Sequence, residues 1–124
     1  MDGTAMKRLF LIVLLSALAT SAFAIELSEL RALAEQGFAP AQYYMGIAYD
    51  TGKGVPQNHT KAVKWYRMAA EQGHRRAMNN LAASYGRGEG APRDEEAAVK
   101  WYRLAARQGD PLAQNNLRSR YAAD

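Results

Sequence analysis

Apolar residues recur along this chain at intervals of three and four. Ala77, Leu81 and Tyr85 stand at i, i+4 and i+8, with Met78 and Ala82 beside them. That spacing places them on one face of an α-helix. Earlier, Ala62, Trp65, Tyr66, Ala69 and Ala70 share one side of a second helical pattern, and Lys64, Arg67 and Glu71 fall on the other. Between such stretches lie "TGKGVPQN" and "RGEGAPRD". Gly52 or Gly88 suits the left-handed turn that ends a helix. Pro56 or Pro92 blocks continuation. Asn58 and Asp94 are good N-caps for the next helix, and Glu95 and Glu96 add negative charge where its dipole favours it. The pattern predicts helix hairpins, each with one apolar side per helix.

The hairpins repeat. Trp65 and Trp101 are 36 residues apart, and the same offset aligns Gly37, Gly73 and Gly109 as well as Ala41, Ala77 and Ala113. It also aligns Tyr49, Tyr85 and Tyr121, and it needs no gap. A helix hairpin of this size cannot bury its apolar side alone, so copies must stack. The expected fold is all-α: six short helices in a short right-handed α/α superhelical solenoid of antiparallel pairs. On this reading Gly46 and Ala82 are small because a neighbouring helix comes close to them. Trp65, Tyr66, Ala69 and Ala70 face the stack.

"AQYYMGIAYDTGKGVPQNHTKAVKWYRMAAEQG" and "AMNNLAASYGRGEGAPRDEEAAVKWYRLAARQG" resemble Sel1-like repeats, relatives of the tetratricopeptide repeat. The G-x-G-x-P loop and the A-x-x-W-Y-x-x-A-A-x-x-G helix carry the likeness. Full repeats are expected at about 38–73 and 74–109, with half repeats at 25–37 and 110–124. Residue 118 is Arg where the other copies have Gly46 and Ala82, and with Arg120 it reads as a polar end cap.

The N-terminus is different. Met6-Lys7-Arg8 precedes "LFLIVLLSALATSAFA", which ends in the small-residue pattern Ala22-Phe23-Ala24. This is the layout of a secretory signal peptide, so residues 1–24 are expected to be a leader cleaved after Ala24, with 25–124 as the repeat domain. The alternative is a buried or anchoring helix, but the apolar run falls short of the roughly 20 residues a span needs. The expected location is periplasmic or secreted, with no integral membrane anchor after cleavage. No Cys is present, so an oxidising compartment is permitted but not exploited. The formal charge is +4, and loss of the leader leaves the balance mildly basic. With no block of basic residues, nucleic acid is not an expected partner.

Catalytic chemistry is thinly supplied. His59 and His74 are the two histidines, and both read as solvated surface residues. Gly52-x-Gly54 follows a helix and lacks a phosphate-loop ending, and Asn58-His59-Thr60 reads as a helix cap. Cysteine-rich members of the resembled family have been associated with β-lactam chemistry, but this chain has no Cys and the activity is not carried over. No catalytic residue, metal or cofactor is expected, and the protein is read as no enzyme.

The resemblance implies that first helices line the concave side. There the helical wheel puts Tyr43 and Ile47, then Arg76, Asn79, Ala83 and Arg87, then Leu112, Asn115 and Ser119. Tyr43, Asn79 and Asn115 share one repeat position and are expected to form a column across the groove. Asn80 and Asn116 read as structural, bonded to neighbouring backbone. The expected function is an exported, non-enzymatic scaffold that binds another protein or peptide, extended or acidic, in this groove. A convex basic stripe of Lys64, Arg67, Lys100, Arg103 and Arg107 offers contact with an anionic surface, and self-association is a further expectation. The competing reading is a periplasmic hydrolase, or a cell-wall or ligand-binding protein of the same class.

Overall fold

The computed structural model describes residues 3–8 and 26–122. The leader's apolar run and its cleavage site lie outside the described residues. Apart from a helical stretch at 3–8, the architecture is six helices: α1 (26–35), α2 (Ala39–Thr51), α3 (His59–Glu71), α4 (Arg75–Arg87), α5 (Glu95–Arg107) and α6 (Pro111–Tyr121). Each packs on its neighbours in chain order. The result is the expected all-α solenoid of antiparallel pairs.

The helix ends form for the reasons the sequence supplies. The Asn58 side chain accepts from Lys61 N–H at 3.0 Å, and Asp94 accepts from Ala97 N–H at 2.9 Å. Each cap satisfies a backbone donor that the first turn leaves without a helical partner. Gly52 and Gly88 close α2 and α4 in the left-handed region, at φ of 73° and 70°. Each loop then returns to the same place: Asn58 N–H donates to Tyr49 O at 2.8 Å, and Asp94 N–H to Tyr85 O at 3.0 Å.

The core is built on small residues set against tyrosine. Tyr66 and Tyr102 are 1% exposed, among Ala62, Ala69, Ala98 and Ala105, which are fully buried. Tyr66 lies so close to α2 that a Cβ on Gly46 would stand 2.4 Å from its ring. In the next copy Ala82 occupies that place, with no exposure. The tryptophans take a lesser share than the sequence implied. Trp65 and Trp101 are half-buried and pack on the margin of the core.

Polar bonds tie the first junction. Buried Gln42 donates to Ala34 O at 3.1 Å and accepts from Gln72 Nε2 at 2.8 Å, joining α1, α2 and α3. Met78 stands at the equivalent place in the next copy, where Gln108 meets its sulfur at 3.9 Å. Arg31 lies over the Tyr49 ring and Arg67 over the Tyr85 ring, at 6.0 and 5.6 Å from the centroids. One residue of the repeat thus clamps α1 to α2 and α3 to α4 by a cation–π contact.

The Gly46 contact predicts a sharp steric limit. Gly46→Val should lower unfolding free energy by about 1–3 kcal/mol, the usual cost of overpacking, as measured by urea denaturation. Ala82→Gly should cost less than Gly46→Val, because it opens space and forces no atom aside.

Candidate partner-binding cleft

The first helices bring a polar cleft of about 190 Å³ to one face of the stack. Asp50 of α2 stands at one side. Asn79, Asn80, Ala83, Ser84 and Arg87 of α4 form the floor. Asn116 and Arg120 of α6 close the other side, and Tyr102 of α5 enters from behind.

The cleft is held by hydrogen bonds between helices. Asn116 Nδ2 donates to Asn79 Oδ1 at 3.2 Å, and Asn79 Nδ2 meets Asn80 Oδ1 at 3.5 Å. The Asn80 amide lies near the hydroxyls of Tyr43 and Tyr66 without a hydrogen bond to either. Tyr66 donates to Asp50 Oδ2 at 3.2 Å, and His59 Nδ1 lies 2.7 Å from Asp50 Oδ1. One set of bonds therefore joins α6 to α4, and a second joins α3 to α2. Burial, and then the Asp50 carboxylate, raise the Tyr66 hydroxyl well above the ordinary tyrosine range. It stays protonated and serves as a donor. Ser84 completes the floor by bonding to Asn80 O at 3.1 Å.

The expected groove residues divide. Asn79, Ala83 and Arg87 line the cleft. Asn79 is only 7% exposed, because its amide is spent on Asn116 and Asn80. Ile47 lines a separate apolar cleft of about 410 Å³ with Leu27, Leu30 and Tyr44. Arg76, Leu112, Asn115 and Ser119 are exposed and line neither cleft. The column of Tyr43, Asn79 and Asn115 is thus not a continuous exposed strip. Tyr43 is half-buried and stacks on His74 with centroids 4.7 Å apart. Asn80 and Asn116 turn their amides to side chains in the cleft, whereas neighbouring backbone was the expectation.

The histidines and the basic stripe also differ from expectation. Both histidines are half-buried and bonded. His74 caps α4, its Nδ1 accepting from Ala77 N–H at 3.2 Å. In the stripe, Lys64, Arg67, Lys100, Arg103 and Arg107 are all exposed. Arg67, however, donates to the Tyr85 hydroxyl, and Lys100 lies 5.7 Å over the Trp101 ring. Two of the five cations are therefore engaged within the fold. Among the described residues, no three His, Cys, Asp or Glu side chains are grouped to hold a metal.

Comparison with known proteins accounts for this architecture. A family model described as Sel1 repeat matches residues 39–74 and 75–110, more than half of the chain. The chain belongs to the Sel1-repeat family. Proteins of this family are helical repeat scaffolds, typically for protein–protein interaction, and generally non-enzymatic. Among solved structures, one similar protein is c5321, a protective antigen of uropathogenic Escherichia coli strains displaying an SLR fold. It is 44% identical over 71% of this chain and 19% of its own, with a TM-score of 0.70. A Sel1 repeat protein from Oxalobacter formigenes is 40% identical over 77% of this chain and 28% of its own, with a TM-score of 0.75. The Helicobacter pylori cysteine-rich protein B is 25% identical over 72% of this chain and 67% of its own, with a TM-score of 0.68. The chain therefore spans only 19% and 28% of the length of the first two relatives. No curated protein matches it.

Capping by a neutral imidazole gives this Sel1-repeat protein an acid sensitivity. Burial holds the His74 pKa below its ordinary value of 6.5. The unfolded chain thus takes up this proton at a higher pH than the folded chain. The stabilisation is complete above about pH 6.5 and is lost as pH falls through the folded value. His74→Asp installs the cap found at Asp110, which accepts from Leu112 N–H at 3.1 Å. It should flatten the decline of melting temperature between pH 7 and pH 5 measured for the parent chain.

Proposed function

We propose that this chain is an exported, non-enzymatic adaptor that holds an extended, acidic segment of another protein in the polar cleft across α2, α4 and α6. The observation that carries the reading is the cleft itself. Two arginines, Arg87 and Arg120, face one carboxylate, Asp50, so the lining has a positive excess. Asn116, which spends one N–H on Asn79, keeps its amide oxygen and second N–H for a peptide backbone. Arginine pairs with carboxylates in two-point geometry. Bonds already made between α6 and α4 and between α3 and α2 hold these groups in place before a partner arrives, which lowers the ordering cost of binding.

Export is part of the proposal. Its support is the basic, apolar and small-residue order of residues 6–24, the pattern of a leader cleaved after Ala24. None of the described helices is long and apolar enough to cross a membrane. The repeat domain then acts in the periplasm or outside the cell.

The test is site-specific photo-crosslinking in the native envelope, with the probe at Ala83 in the cleft or at Lys100 on the opposite helix face. Ala83 should capture one discrete partner that Lys100 does not. The Arg87→Glu, Arg120→Glu pair should weaken that partner's affinity by about tenfold or more, the scale of lost charge-assisted hydrogen bonds. Equal capture from both positions, or affinity unchanged by charge reversal, would defeat the reading. N-terminal sequencing of the same preparation should begin at Ile25.

A further inference from the structure

The repeats disagree beside the polar cleft. Asn79 and Asn80 of α4, and Asn115 and Asn116 of α6, are paired amides. By the 36-residue offset their counterparts on α2 are Tyr43 and Tyr44. The N-cap position differs too: Phe38 and His74 stand where α6 has Asp110. Rings therefore gather near the starts of α2 and α4.

These rings form a short array. Tyr44 and Tyr43 have centroids 5.2 Å apart and planes tilted by 56°, and Tyr43 stacks on His74 at 4.7 Å and 27°. Tyr43 also meets the buried Tyr66 ring at 6.3 Å. Tyr43 and His74 are half-buried, but Tyr44 is 56% exposed. Its ring is backed by Tyr43 on the fold side and open on the other, so it offers an apolar surface whose place is already set. The array adjoins the cleft, because Asn80 both lines the cleft and lies near the Tyr43 hydroxyl.

The surrounding charge narrows what can dock there. Burial raises the Tyr43 hydroxyl above its ordinary range, and the positive charge of Arg76 works against that rise. Bare tyrosine faces attract cations. Arg76 near Tyr43, with Arg87 and Arg120 in the cleft, opposes such a guest. A neutral aromatic side chain suits the site better, since ring pairs are favoured at centroid spacings of about 4.5–7 Å.

We propose that the acidic segment held in the polar cleft also carries an aromatic side chain, which docks on Tyr44 with Tyr43 and His74 behind it. The inference rests on the cleft reading for the acidic part of the segment and adds a second, apolar anchor. Helix geometry sets the distance between the two. By the repeat offset Tyr44 stands at the level of Asn80, and Arg120 at the level of Ser84. Arg120 and Arg87 are thus about 6 and 10 Å further along the helix direction. An extended chain covers that distance in about two or three residues. The recognised pattern is an aromatic residue two or three positions from Asp or Glu.

Titration of the full chain with synthetic octapeptides, followed by NMR chemical shifts that read affinities into the millimolar range, tests this. Each peptide has two adjacent glutamates in a Gly/Ser background, with a Trp walked through the remaining positions or replaced by Ala. Affinity should peak with Trp two or three residues from a glutamate, about tenfold above the Ala peptide, the scale of a ring pair and its burial. Tyr44→Ala should erase that advantage and leave the Ala peptide's affinity unchanged. Tyr44→Phe should keep it, because the ring makes the contact. Circular dichroism should show both variants folded as the parent, since the side chain is largely exposed. A Trp advantage that is equal at every position, that survives Tyr44→Ala, or that Lys matches would overturn the proposal. The Arg87→Glu, Arg120→Glu pair should weaken the Trp and Ala peptides alike. If that pair weakens both peptides and no Trp position matters, the aromatic anchor fails and the acidic cleft stands. If it weakens neither while Tyr44→Ala still erases the Trp advantage, the acidic cleft fails and the aromatic anchor is supported. Absence of binding by every peptide would overturn both.

Discussion

The structure depends on two buried tyrosines, each driven against a helix too small to resist it. Tyr66 meets Gly46, Tyr102 and Ala82 stand at the matching positions of the next repeat, and both rings are almost fully withdrawn from water. An aromatic ring brings a large buried area, and a first helix without bulk at that point lets the backbones close. The same choice creates an obligation. A buried hydroxyl costs stability unless it is hydrogen-bonded. Tyr66 meets that demand through Asp50.

From this obligation the polar side of the molecule follows. Asp50 binds both the Tyr66 hydroxyl and His59. Beside it, a second set of bonds runs from Asn80 to Asn79 and then to Asn116. A network that satisfies its members on several helices stiffens them. Arg87, which also lies 4.0 Å from the Glu89 carboxylate, and Arg120 line the cleft beside it. Packing and recognition are linked here: the bonds around the buried tyrosine and those among the asparagines together set the spacing of the cleft's donors and acceptors.

The ends follow the opposite logic. A solenoid has no natural stopping point, because each repeat offers the next the surface it received. Here the end positions keep the helical pattern but change size and charge, at Glu26, Leu30 and Leu33 on one side and Arg118 on the other.

Much of the fold was legible in the sequence. The 36-residue offset, the caps at Asn58 and Asp94, and the turns at Gly52 and Gly88 depend on neighbours close along the chain, so the residues themselves determined them. The smallness of Gly46 also announced a close helix, because nothing else on that stripe called for it. The cleft was only partly legible. The helical wheel found Ala83 and Arg87 but gave Asn79 to solvent and set Asn80 and Asn116 aside. A wheel has one inside and one outside, whereas a first helix in a stack touches a helix before it and another after it. Whether an amide one position from the packed stripe meets water, backbone or a side chain 37 residues away, as Asn116 meets Asn79, depends on how the repeats are set against each other. Local spacing along the chain determined the repeat and its helices. Only the tertiary structure decided which polar residues converge, because that convergence comes from the angle and distance between helices.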